Sequence, residues 1–260
     1  MLASIDGVLM DSANATISVL DDSVLRGDGV FEVIRVYAGR PFALDEHLDR
    51  MARSAATLRL PLDVDAIRAD IAALLTEAGA DDVALRLVAT RGGRRIALLE
   101  PLRVFPETIA LATITYSPTR VLDGVKSLSY GANMLATRLA KEAGAEEALL
   151  VSPHGRVLEG PTTSFFYVLG GELCTPPLSD RILDSISRRI LLAIADARER
   201  VTTLDDLPSI SEAFLASSLR EVQPVRAIDG RAVPDAPGPV SNAAAKLVRE
   251  HIEAAVRSPA

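Results

Sequence analysis

The sequence predicts an α+β fold in two domains, and three observations carry that reading. Short alternating segments bounded by turn residues recur along the chain. Stretches of helical periodicity are interleaved with them, and a proline-bearing segment around residues 101–106 interrupts both. Hairpin signals mixed with helices do not make the repeated strand–helix–strand series of a doubly wound sheet. The domains are expected at 1–101 and 107–260, with 102–106 as linker.

Residues 2–10 read as two strand pieces about an Asp6-Gly7 turn, a strong hairpin signal. Residues 30–37 alternate, with Phe31, Val33, Arg35 and Tyr37 on one face and Val30, Glu32, Ile34 and Val36 on the other. The turn Ala38-Gly39-Arg40-Pro41 follows. Leu48, Met51, Ala55 and Leu58 give 45–58 helical spacing, and 64–78 forms a second amphipathic helix closed by Gly79. Residues 83–90 return to strand. The stretch 100–107 holds no period for long and contains Pro101 and Pro106. Beyond it, 108–116 and 147–151 are expected as strands, with a helix at 133–143 between them. Val157 and 165–169 belong to further strands, and 187–197 and 241–256 are expected as helices.

The chain has 260 residues, 48% hydrophobic and 24% charged, with a net charge of −7. That acidity opposes general affinity for nucleic acid or an anionic membrane surface. Aromatic residues are 4% and Trp is absent, so stacking platforms for single strands are not expected. No apolar run reaches the ~20 residues of a membrane span, and Asp6 and Asp11 interrupt any leader-like N-terminus. With one cysteine, Cys174, no internal disulfide framework exists, and a cytoplasmic location is expected. His47, His154 and His251 lie far apart without metal-ligand spacing, so no metal site is expected.

Five features carry candidate chemistry. Lys126 lies beside apolar residues and small hydroxyls, where desolvation lowers an amine's pKa and favours Schiff-base formation. Glu159 follows an apolar strand and precedes Gly160 and the hydroxyls Thr162, Thr163 and Ser164, a setting suited to a protonated ring nitrogen. Serines around Ile186 and Ser187 open an apolar helix, whose first N–H groups attract anions. Ser217 and Ser218 end a strand and add donors, and Arg50 offers charge from a helix. Taken singly, each has an ordinary structural explanation: a loop lysine, a strand-end carboxylate, an N-cap, a polar turn and a solvated arginine.

Their order along the chain resembles the class IV, or fold-type IV, pyridoxal-phosphate family. The resemblance rests on Gly27-Asp28-Gly29-Val30-Phe31-Glu32, His47-Leu48-Asp49-Arg50, Thr90-Arg91-Gly92, the segment from Lys126 to Asn133, Val157-Leu158-Glu159-Gly160, the segment from Ile182 to Ser187, and that from Ser217 to Val225. It implies a smaller N-terminal α/β domain, a larger C-terminal pseudo-barrel domain with pyridoxal 5'-phosphate between them, and a homodimer. It also implies roles: Lys126 as Schiff-base lysine, Arg50 as phosphate ligand and Glu159 as partner of the pyridine nitrogen. Leu183 would pack on the ring, while Ile186, Ser187, Ser217 and Ser218 would hold the phosphate.

Within the family the resemblance implies transamination between D-amino acids and 2-oxo acids such as 2-oxoglutarate or pyruvate. The alternative is 4-amino-4-deoxychorismate lyase, which releases pyruvate and 4-aminobenzoate; branched-chain transamination ranks third. The chain departs from the D-amino acid pattern: Phe31 stands where Tyr is frequent, no histidine follows Thr90-Arg91-Gly92, and Ser164 replaces a usual Asn. Arg26, Arg35, Arg94 and Arg95 are the candidates for the substrate carboxylate, because a guanidinium offers paired donors, and Phe31 lines the same strand face as Arg35.

Overall fold

The computed structural model describes residues 1–257. The chain divides into two compact units. The first comprises Met1–Arg103, Val125–Tyr130 and the residues from Ala255, and the second comprises Val104–Gly124 and Gly131–Ala254.

In the first unit β1 (Leu2–Ile5) and β2 (Val8–Asp11) form the expected hairpin. Asp6 and Gly7 both take positive φ, 53° and 88°, as the turn type that matches strand twist requires. The short helix α1 (Asp22–Arg26) precedes β3 (Gly29–Tyr37) and β4 (Arg40–Pro41). Then come α2 (Leu44–Thr57), α3 (Val64–Ala78), β5 (Val83–Thr90) and β6 (Arg95–Glu100). The sheet is antiparallel throughout, in the order β2-β1-β6-β5-β3-β4. Asp63 caps α3 through the Ala66 amide, and Gly79 ends it at φ 79°. The strand at 95–100 was not expected, since Ile96-Ala97-Leu98-Leu99 has no alternation. Pairing to β5 on one side and β1 on the other decides it. Val30, Ile34 and Val36 of β3 pack with Leu48, Met51 and Ala55 of α2 and with Ile67, Ile71 and Leu74 of α3.

The second unit holds β7 (Ile109–Thr115), α4 (Gly131–Glu142), β8 (Glu147–Val151), β9 (Ser164–Leu169) and β10 (Glu172–Thr175). It continues with α5 (Ile186–Ile194), β11 (Arg198–Glu199), β12 (Ile210–Ser217), β13 (Glu221–Ile228), β14 (Arg231–Ala232) and α6 (Pro239–Arg257), whose last turn groups with the first unit. Strand order is β11-β10-β9-β12-β13-β7-β8, with β14 beside β13. Isolated bridges from Val151 to Val157 and from Arg156 to Thr203 lead from β8 towards the segment after β11, so the sheet nearly closes. Phe165, Tyr167, Leu149 and Leu215 fill its core. Helix α5 ends at Ile194 rather than at 197, because Asp196 takes φ 47° and the chain turns into β11 beside Cys174 and Thr175.

Among the described residues no helix is long and apolar enough to cross a membrane. Residues 125–130 come after the first stretch of the second unit in sequence yet group with the first unit, through backbone pairing to β3.

Candidate active site

The N-terminal end of β3 holds the candidate residues of the first unit. Val30 bridges to Ser127, the Phe31 amide donates to the Lys126 carbonyl at 3.2 Å, and the Leu128 amide donates to the Gly29 carbonyl at 2.9 Å. The Lys126 amide in turn donates to Ser54 Oγ at 3.1 Å. Both backbone polar groups of Lys126 are therefore held, while its side chain extends beyond them. Gly29 permits this approach: a Cβ there would stand 2.6 Å from the Ala89 carbonyl oxygen and from Leu128 Cδ1.

Lys126 Nζ lies over the Phe31 ring, 4.2 Å from its centroid, and 5.6 Å from that of Tyr130. Phe31 and Tyr130 meet edge to face at 5.1 Å. An amine held on aromatic faces keeps an apolar environment and a defined direction.

The opposite side of β3 carries Glu32, which is fully buried. Helix α2 turns His47, Arg50 and Ser54 inward on the face that also bears Leu48, Met51 and Ala55. Arg50 donates from Nε to Glu32 Oε1 at 2.7 Å and from Nη2 to Oε2 at 2.6 Å, and His47 Nδ1 reaches Oε2 at 2.7 Å. Burial opposes the Glu32 charge, yet hydrogen bonds from Arg50 and His47 hold its pKa down at about 2. Burial, with the positive charges of Arg50 and Lys126, keeps His47 below its ordinary value in spite of Glu32. His47 is thus neutral and donates from Nδ1.

The remaining arginine candidates of this unit have carboxylate or aromatic neighbours. Arg26 pairs with Asp22 on the surface, Arg94 with Asp6 at 2.6 Å, and Arg95 with Asp70 at 3.1 Å. The Arg35 guanidinium lies 4.6 Å over the Tyr37 ring.

In the second unit, Leu158 and Glu159 exchange backbone bonds with Leu150, which places Glu159 beside β8. Its Oε1 accepts the Leu183 amide at 2.9 Å, so the carboxylate and the turn before α5 are joined. Ser185 is the N-cap of α5: its Oγ accepts the Arg188 amide at 3.1 Å and lies 2.7 Å from Ser164 Oγ. The amides of Ile186 and Ser187 belong to the first turn, where no intrahelical carbonyl is available, so they suit an anion. Ser217 ends β12, its Oγ accepting the Arg220 amide at 3.2 Å, and Ser218 is the next residue of that turn. Arg220 is anchored by Glu147 at 2.7 Å and Gln223 at 2.6 Å.

Sequence reasoning gave no role to four residues here. Glu32 and His47 stood inside motifs without a function, Glu32 also as part of a strand face, and His47 was set aside as a metal ligand. Yet His47, Arg50 and Ser54 recur at helical spacing among apolar residues, which marks a buried polar stripe. Tyr116 and Asn133 are the others. Tyr116 Oη donates to Asn133 Oδ1 at 3.4 Å, and Asn133 Nδ2 donates to the Pro161 carbonyl at 2.9 Å. Burial and the Glu159 charge raise the Tyr116 pKa, so the phenol stays protonated.

Taken singly, an amine suits an aldehyde, a guanidinium or helix-start amides suit a phosphate, and a carboxylate suits a basic ring nitrogen. Residues 29–228 match the family Amino-transferase class IV. A protein of Methanocaldococcus jannaschii provisionally named a branched-chain-amino-acid aminotransferase is 34% identical, over 88% of this chain and 88% of its own. A D-alanine aminotransferase of Bacillus licheniformis is 30% identical, over 91% and 92%. A solved structure titled a hypothetical aminotransferase from Mycobacterium tuberculosis, PLP-bound form, superposes with a TM-score of 0.88 at 26% identity, covering 98% of this chain and 99% of that one. The two-sheet architecture is that of solved fold-type IV transaminases. The chain belongs to the class IV aminotransferases.

Proposed function

We propose that this class IV aminotransferase uses Lys126 to move a proton at the Cα of a D-amino acid and passes the amino group to a 2-oxo acid such as 2-oxoglutarate or pyruvate. The observation that carries the reading is the lysine itself: its backbone is bonded at both ends, and its Nζ lies 4.2 Å over Phe31. Pyridoxal phosphate, when bound, supplies an aldehyde for the amino group and a ring that accepts the electrons left at Cα. Arg50, the Ile186 and Ser187 amides, and the hydroxyls of Ser187, Ser217 and Ser218 would bind the phosphate. Glu159 would keep a proton on the ring nitrogen, with the Leu183 amide fixing the carboxylate and Leu183 packing on the ring. Lys126 Nζ, as free amine, would take the proton from the substrate Cα and deliver it to the C4′ carbon of the cofactor, across the nitrogen.

The hand of the substrate rests on the arginines. Arg26 is the most exposed of the candidates, and a surface ion pair such as its pair with Asp22 is worth only about 0–1 kcal/mol. Exchange of that partner for a substrate carboxylate therefore costs little. Arg94, Arg95 and Arg35 follow in that order of readiness, since Arg95 is the less exposed of the two paired arginines and Arg35 is stacked. Likeness to the D-alanine aminotransferase supports the D-hand. Likeness to the M. jannaschii relative supports a second reading, in which L-branched-chain amino acids are donors.

The half-reaction separates the readings. Adding D-alanine or D-glutamate should bleach the visible absorbance of the yellow holoenzyme, and L-valine or L-leucine should not. Bleaching by the L-acids alone selects the second reading. If no amino acid bleaches the enzyme while 4-amino-4-deoxychorismate yields pyruvate, the lyase alternative replaces both. A borohydride-trapped adduct on any residue other than Lys126 would overturn the site assignment. A gel-filtration mass near twice that of the chain is expected for the proposed homodimer.

A further inference from the structure

His47 has no part in the chemistry proposed above, yet it is one of the most deeply buried polar residues of the first unit. It stands one turn before Arg50 on α2, so the two side chains lie on one helix face. Between them sits the Glu32 carboxylate. Each of its oxygens accepts from Arg50, and Oε2 also faces His47 Nδ1 at 2.7 Å.

We propose that His47 is a positioning residue for the cofactor phosphate, setting the plane of the Arg50 guanidinium through Glu32. The inference rests on the reading of Arg50 as a phosphate ligand. Its physical basis is the softness of a carboxylate's last torsion, a bond between sp³ and sp² carbons with broad minima. A guanidinium fork on two oxygens makes the two planes coplanar, but the pair can still rock together about the Glu32 side chain. A third donor from a different direction removes that freedom. His47 supplies it from a fully buried ring. Because His47 is neutral and buried, it adds direction without adding charge to the phosphate site. Arg50 thereby meets the phosphate in one orientation and loses little freedom on binding it.

The test is the dissociation constant of pyridoxal phosphate from the full-length holoenzyme, read with its ³¹P chemical shift. His47→Asn keeps a donor near the position of Nδ1, whereas His47→Gln is polar but carries its donor further out, and His47→Leu has none. The Gln and Leu variants should bind the cofactor about tenfold more weakly with a shifted phosphorus resonance, the size of one directional hydrogen bond. His47→Asn should stay within about threefold of the parent by that same measure. If His47→Leu does not fold, the Asn and Gln pair carries the comparison. Equal affinity in all variants, or equal loss in Asn and Gln, overturns the proposal, since a merely space-filling residue would not distinguish them. Arg50→Lys keeps a charge on Glu32 but loses the fork. If it leaves cofactor affinity and the phosphorus shift unchanged, the reading of Arg50 fails and the proposal with it. If Arg50→Lys weakens binding while the His47 series does not, only the proposal fails.

Discussion

The two units hold their candidate site residues by different physical means. In the first, Glu32, Arg50 and His47 form a buried cluster in which every charge is answered by another side chain. In the second, Glu159 is half-buried and bonded to a backbone amide, and the hydroxyls serve as a helix cap and as a turn. A buried charge depends on its partner, because a partner lost leaves an unpaired ion out of water. A carboxylate near solvent has no such dependence. Function and stability are therefore coupled at the Glu32 cluster and separable at Glu159 and at the Lys126 side chain.

The largest expected effect is on activity alone. Lys126→Ala should lower turnover by at least about 10³-fold, since both amine and base are lost, while thermal unfolding stays near that of the parent. Lys126 is only partly buried and its backbone anchors remain, so a large drop in Tm would break the distinction between its side chain and the Glu32 cluster.

Next comes the contrast of two carboxylates. Glu32→Ala strands Arg50 in the core and should cost about 3–5 kcal/mol, the usual result of breaking a buried pair. Glu159→Gln should lower turnover by about 10²-fold or more with little change in the urea midpoint, because its partner is an amide and not a buried ion. Equal destabilisation by the two substitutions would erase the comparison.

Acid should act on the first unit before the second. The Glu32 pKa is depressed from its ordinary value to about 2, so its contribution is complete above pH ~4.5 and is lost as pH falls towards 2. His47 is also depressed. The unfolded chain takes up that proton below pH ~6.5 while the native chain does not, so stability begins to fall there. Both signs agree. Hydrogen exchange at pH 4 should show amides of β3 and α2 losing protection ahead of those of β9 and β12.

The smallest expected effect is local to the second unit. Ser185→Ala removes the α5 cap and the Ser164 contact, costing about 1 kcal/mol. Cofactor affinity should fall only severalfold, because the Ile186 and Ser187 amides remain; isothermal titration checks it.

Local pattern made much of the scaffold legible. The Asp6-Gly7 hairpin, the helix over 64–78 with its Gly79 stop, and the strands at 83–90 and 147–151 follow from turn chemistry and periodicity acting over a few residues. The strand at 95–100 did not, because pairing on both sides selects it and no alternation announces it. Among candidate site residues, Lys126, Arg50 and Glu159 were singled out through motif order. Glu32 ended one of those motifs but received no role, since in a strand its place on the Val30, Ile34 and Val36 face read as an ordinary alternation.

By itself the sequence determined the α+β class, the family and the residue types available for chemistry, because these depend on short-range pattern and order along the chain. Tertiary structure alone decided which of them meet. Residues 125–130 join the first unit although they follow residues 104–124 of the second, because the β3 edge has amides and carbonyls for them and Ser54 Oγ accepts the Lys126 amide. The same long-range packing buries Glu32 with two partners from a helix about fifteen residues away, and so turns a strand-face carboxylate into the anchor of Arg50.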